Sequence, residues 1–228
     1  MLTSPKNPKV TAAARLKKRA FRDEDRRFLV EGAQAVTEAL GEPGALETLF
    51  TDDELAPLAV QARQAGVEVH GVGDEVIRAL TSTVTPQALV GVSRYLDRGL
   101  DALPDDGCVP ILHEVRDPGN AGTVLRSADA AGAGGVVFTA SSVDVYNPKT
   151  VRSSAGSLFH LPVVRGAETA ESIAVVKDRG FRVLAMATGG ADDLYRSFTA
   201  AIASPVSAPR TIGRWKSDPA DERTVFGL

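Results

Sequence analysis

The stretch 108-CVPILHEVRDPGNAGTVLRSADAAGAGGVVFTA-140 changes its apolar spacing twice, and that change decides the fold. CVPILHEV is an apolar run of the kind found in a strand buried on both faces. DPGN follows as a turn, with Asn120 placed to cap a helix. Val124, Leu125 and Ala128 then recur at helical spacing, and GGVVFTA returns to strand character. A crossover this long joins parallel strands. Downstream the alternation continues: helix NPKTVRSSAGSLF, strand HLPVV, helix ESIAVVKDRG, strand FRVLAMA. Residues 108–198 are therefore predicted to form an α/β domain around a parallel sheet.

Working upstream, RGLDALPDDG (98–107) has the Gly, Pro and Asp content of a linker. Before it, residues 1–97 alternate helices with short strands and predict a small α/β domain of their own. TAAARLKKRAFRDEDRR (11–27) reads there as one basic helix.

Net charge is −3 over 228 residues, but it is unevenly placed. Residues 1–30 hold nine Lys and Arg (Lys6, Lys9, Arg15, Lys17, Lys18, Arg19, Arg22, Arg26 and Arg27) against Asp23, Glu24 and Asp25. The remainder of the chain is strongly acidic. A basic leading segment suits a phosphate backbone, and it equally suits a solvated helix face paired to its own acids. The opening MLTSPKNPKV is polar and has no apolar core behind it, and no run approaches a membrane span, so a cytoplasmic protein is expected. A single cysteine, Cys108, excludes an internal disulfide, and three scattered histidines offer no metal spacing. Cys108 is read as a buried structural thiol.

Two loops carry candidate chemistry. At DPGN, ligands would gather where a parallel strand ends. Arg126 sits within the apolar helix that follows, where a guanidinium needs an acid or a phosphate; Asp129 is the ordinary partner. In 146-YNPKTVRSSAGSLFHLP-162, Asn147 and Pro148 mark a helix start. Lys149, Arg152, Ser153 and Ser154 then cluster near its first turns, where acids would be normal, and this inversion points to an anion. AAGAGG (130–135) is no dinucleotide fingerprint, because it follows a helix and precedes a strand. That order excludes a dinucleotide oxidoreductase.

RDPGNAGTVLRSADAAGAGGVVF resembles the first motif of the SpoU (TrmH-like) RNA 2′-O-ribose methyltransferases of the SPOUT superfamily. SVDVYNPKTVRSSAGSLFHLPVV resembles their second. SPKNPKVTAAARLKKRAFRDEDRRFLVEG resembles the L30e-like substrate-binding domain that many of them carry. The resemblance implies an L30e-like domain followed by a SPOUT α/β knot domain, S-adenosylmethionine as cofactor, structured RNA (ribosomal foremost) as partner, and a homodimer. By the same resemblance, Asn120 and Arg126 are the catalytic residues. Ala187, Thr188 and Gly189 belong to a cofactor loop. RNA is met by Arg15, Lys17, Lys18, Arg19, Arg22, Lys149, Arg152, Ser153 and Ser154. From Ser197 the chain reads SFTAAIASPVSAPRTIGRWKSDPADERTVFGL, without the GNE and SLN loops of the family's third motif. Residues 199–228 are thus read as an atypical tail, divergent or translated out of frame, in place of the usual knot segment. The alternative that this departure raises is an RNA-binding protein without catalysis.

Overall fold

A computed structural model describes residues 1–83, 85–181 and 183. They fall into two compact units: Met1–Leu96 with Asp144–His160, and Asp97–Val143 with the described residues after His160.

The first unit is built on a four-stranded sheet of β1 (Arg27–Glu31), β2 (Leu46–Thr51), β3 (Glu68–Gly71) and β4 (Leu89–Arg94), in the order β1-β4-β2-β3. β4 runs antiparallel to both β1 and β2, while β2 and β3 are parallel. Around the sheet lie α1 (Pro8–Arg15), α2 (Arg19–Asp25), α3 (Ala33–Gly41), α4 (Pro57–Gln64) and α5 (Asp74–Leu80). Val10 and Leu16 pack with Leu29, Phe50, Val76, Leu80 and Val90 in one buried cluster. The expected single helix over 11–27 is instead α1 and α2 with a break at Leu16–Lys18. The break turns Leu16 into the core at 2% exposure and frees two carbonyls that would otherwise serve the helix.

Those carbonyls have a specific occupant. Arg22 donates from Nη1 to the carbonyl oxygens of Leu16 and Lys17, at 2.9 and 2.8 Å. Its Nε and Nη2 donate to Asp144 Oδ2 at 3.1 and 2.6 Å. Asp144 Oδ1 accepts from the Tyr146 N–H at 3.0 Å. Asp144 opens the stretch that joins this unit from far along the chain. There Tyr146 stacks on Tyr95 (centroids 4.0 Å) and meets Phe28 at 4.6 Å, while its hydroxyl accepts from the Leu96 N–H at 2.7 Å. The stretch carries α6 (Pro148–Ser153) and a 3-10 turn over Ser157–Phe159.

The second unit holds a parallel sheet of β5 (Ile111–Leu112), β6 (Val136–Thr139) and β7 (Val163–Ala167), in that order. Its helices are α7 (Pro118–Ala130) and α8 (Thr169–Asp178). Ile111, Val137, Val164, Val176 and Phe181 form its core. β5 is shorter than the predicted strand over 108–115. Pro110 brings no N–H to a ladder, and Glu114 adopts a left-handed backbone (φ 53°) just beyond Leu112. Cys108 is half-buried, and burial pushes its thiol pKa up. The expected strand over 181–187 falls mostly outside the described residues, as does the whole of 199–228. Among the described residues no helix is long and apolar enough to cross a membrane, and no acidic, His or Cys group could hold a metal ion.

Removing one partner of a buried ion pair strands the other, at a cost of about 3–5 kcal/mol. Asp144→Ala should lower the unfolding free energy by about that much in urea titrations. The paired replacement Arg22→Met with Asp144→Leu should cost clearly less, and equal losses in the two variants would show that the stranded charge is not the cause.

Candidate active site and RNA-facing surface

Motif one lies in the second unit. Asp117 is the N-cap of α7, accepting the Asn120 N–H at 2.9 Å, and Pro118 occupies the first turn. The cap is thus not the Asn120 that the sequence suggests. A proline whose fixed φ suits the first helical position places the cap one residue before itself, which is Asp117. Asn120 is therefore a first-turn residue, and it is exposed. Ala121, Val124, Leu125 and Ala128 are buried, whereas Asn120, Thr123 and Arg126 step along the exposed face at three-residue intervals. Thr123 Oγ1 donates to the Gly119 carbonyl at 3.1 Å and lies 3.5 Å from Arg126 Nη2.

The carboxyl ends of β5, β6 and β7 carry a polar cluster that the sequence reading missed. His113 Nδ1 lies 2.7 Å from Thr169 Oγ1 and 3.5 Å from Ser141 Oγ. Thr139 and Ser142 both donate to the Leu112 carbonyl, at 2.9 and 2.7 Å. Part of a signal was present, since Ser141 and Ser142 sit just past the predicted strand GGVVFTA, whereas His113 falls inside the predicted strand 108–115.

Motif two lies in the first unit. Asn147 caps α6 by accepting the Lys149 N–H at 2.9 Å, and Pro148 starts it, as the sequence indicated. Lys149 and Arg152 are exposed. Arg152 Nη1 pairs with Glu31 Oε2 at 3.4 Å. Ser153 and Ser154 instead turn back on the helix, donating to the carbonyls of Thr150 and Val151 at 3.1 and 2.7 Å.

The SpoU rRNA methylase family profile matches residues 108–209, and an MRM3-like substrate-binding domain matches residues 7–91. The AdoMet-bound rRNA methyltransferase of Sinorhizobium meliloti superposes with a TM-score of 0.76 at 30% identity, covering 97% of this chain and 91% of that one. The chain belongs to the SpoU rRNA methylase family. Among curated relatives, the Bacillus subtilis 23S rRNA (guanosine(2553)-2′-O)-methyltransferase RlmP is 35% identical over 72% of this chain. The mitochondrial rRNA methyltransferase 3 of Xenopus laevis is 35% identical over 68%. These matches span 64% and 38% of the relatives' own lengths. The SpoU match runs past Phe198 into the stretch read as an atypical tail.

The leading basic segment of this SpoU chain is largely occupied by its own fold. Arg15 pairs with Asp25, and Arg19 with Asp23 at 3.4 Å. Lys17 donates to the carbonyls of Ala79 and Thr81. Arg22 and Ser154, expected to meet RNA, are 2% and 0% exposed, which removes them from any surface this unit offers. Lys18, Lys149 and Arg152 keep exposed side chains. The cofactor-loop residues Ala187, Thr188 and Gly189 lie outside the described residues.

Glu31 lies beneath Arg152 with its side chain 7% exposed, and Oε1 accepts the Ser82 N–H at 3.2 Å. Burial raises its carboxyl pKa above the ordinary value, against the opposing pull of the Ser82 N–H, Arg152 and Lys17. The folded chain thus holds this proton more tightly than the unfolded chain. That contribution is present below the unfolded pKa and is lost as pH rises through the folded one. Glu31→Gln should therefore gain stability relative to the parent chain between pH 4 and pH 7, as read from urea midpoints. A constant or reversed difference would contradict the burial argument.

Proposed function

We propose that this chain transfers a methyl group from S-adenosylmethionine to a ribose 2′-hydroxyl of structured RNA, ribosomal RNA foremost, and that it does so as a cytoplasmic homodimer. The observation that carries this reading is the exposed row Asn120–Thr123–Arg126 on a helix whose opposite face (Ala121, Val124, Leu125 and Ala128) is buried, in a chain whose relative RlmP is named for 2′-O methylation of 23S rRNA. The cofactor supplies an electrophilic sulfonium methyl group. The protein's task is to hold a poor nucleophile in line with it.

Arg126 fits that task as a phosphate anchor. A guanidinium keeps its proton near neutral pH and offers donors in a fork that matches two phosphate oxygens. Fixing the phosphate beside the target sugar fixes the hydroxyl, which confers orientation without demanding that arginine act as a base. The Asn120 side-chain amide, one step back along the same face, can donate and accept a hydrogen bond at the ribose. In the first unit, Lys18, Lys149 and Arg152 would add backbone contacts of the salt-sensitive kind. The leading unit, Met1–Leu96 with Asp144–His160, would thereby hold RNA through the phosphate backbone rather than by reading bases.

With tritiated S-adenosylmethionine and ribosomal RNA, Arg126→Ala should lose about 100-fold or more in transfer, with its unfolding curve unchanged. Arg126→Lys should recover little, because a point charge does not reproduce the fork. Transfer at the parent rate in Arg126→Ala would remove the residue from the reaction. RNA binding without any transfer by the parent chain would favour the non-catalytic RNA-binding reading.

Replacing Lys18 and Lys149 by Glu should weaken RNA binding and flatten its salt dependence, read as a smaller slope of log Kd against log salt. The charge reversal Arg22→Glu should instead unfold the first unit, giving a loss of structure in circular dichroism. An unchanged slope in the Lys18/Lys149 variant would place the RNA elsewhere.

A further inference from the structure

We infer that His113 is a positioning residue for the loop that carries motif one, acting through Nδ1; the inference rests on the methyl-transfer reading above. The carboxyl edge of the parallel sheet holds one imidazole and four hydroxyls that join all three strand ends. Two of these hydroxyls have a fixed acceptor. Thr139 and Ser142 spend their O–H groups on the Leu112 carbonyl. Ser142 Oγ is then left to accept the Val115 N–H at 3.3 Å. Thr139 Oγ1 also lies 3.1 Å from Ser141 Oγ and 3.3 Å from Ser142 Oγ. The imidazole joins the cluster through Nδ1, 2.7 Å from Thr169 Oγ1 and 3.5 Å from Ser141 Oγ. Either tautomer closes the bond to Thr169, the ring donating in one and the hydroxyl in the other.

This arrangement ties the end of β5 to the loop after β6 and to the first residue of α8. What it holds in place is the chain between Leu112 and Asp117. Glu114 there has a left-handed backbone, which a non-glycine residue keeps only when its surroundings enforce it. Val115 is gripped twice more, through Ser142 Oγ and through its carbonyl, which accepts the Val143 N–H at 2.8 Å. Five residues beyond Val115 stands Asn120, and the same helix presents Arg126. His113 thus sets the entry of the helix whose exposed face the reaction uses. A shift of this entry misplaces both side chains without disturbing the core beneath them.

Two amides separate the two nitrogens of the imidazole, because Asn places its polar end near Nδ1 and Gln near Nε2. In the full chain, His113→Ala should lower kcat at least about tenfold with KM for RNA nearly unchanged, as expected when alignment rather than binding is lost. Hydrogen exchange should quicken across residues 113–120. His113→Asn should restore both, His113→Gln neither, and Thr169→Val should match the Ala variant. Unchanged kcat and exchange in His113→Ala would overturn the inference, as would rescue by Gln instead of Asn, which would mean that Nε2 touches substrate. If the parent chain transfers no methyl group, the methyl-transfer reading fails on its own. Exchange over 113–120 then decides the positioning role: quickened in Ala and restored in Asn supports it, unchanged overturns it.

Discussion

A guanidinium taken out of water must find a partner for its donors, or its fold does not form. Arg22 meets that demand with two backbone carbonyls released by the break between α1 and α2 and with one carboxylate oxygen of Asp144. The rest of the first unit follows from this arrangement. The break lets Leu16 enter the core. Asp144, fixed by Arg22 and by the Tyr146 N–H, starts a turn that delivers the Tyr146 ring to Tyr95 and Phe28. α6 then lies where Arg152 reaches Glu31. A motif that the sequence presents as part of the methylase half is thereby physically built into the leading unit.

The second unit solves a different problem with neutral groups. Its sheet ends bring together hydroxyls and an imidazole instead of opposite charges. A network of this kind is rigid because no member can leave without stranding another. It holds the approach to α7 through the turn at Leu112–Asp117. The two units therefore divide the labour: a buried ion pair anchors the motif-two stretch, and a hydroxyl network seats motif one.

Local chemistry was legible in the sequence wherever one residue decides one conformation. Asn147-Pro148 announced its helix, and the alternation from 108 onward announced a parallel sheet. The cap of α7 was misplaced because DPGN holds two capping residues, and only the proline's preference for the first turn separates them. The break at Leu16–Lys18 could not be read, since Arg22, which takes its carbonyls, is held in place by a carboxylate 122 positions beyond it. For the same reason Arg22 looked like one more surface cation, and Ser154 like one more exposed hydroxyl. Charge counting treats every lysine and arginine as available, whereas Arg15, Lys17 and Arg22 each have structural partners. The His113 cluster was hidden by distance along the chain: its members meet only once three strands are side by side.

The discontinuity of the first unit has a consequence for synthesis. Arg22 leaves the ribosome long before Asp144, and at about 5–20 residues per second the carboxylate follows roughly 6–25 s later. During that interval the nascent leading segment carries an uncompensated arginine and an open aromatic shelf at Phe28 and Tyr95. Closing so long a loop adds only a slowly growing entropic cost, so the delay is one of supply and not of thermodynamics. The substrate-binding half of this protein is thus completed only after the first methylase motif has been translated.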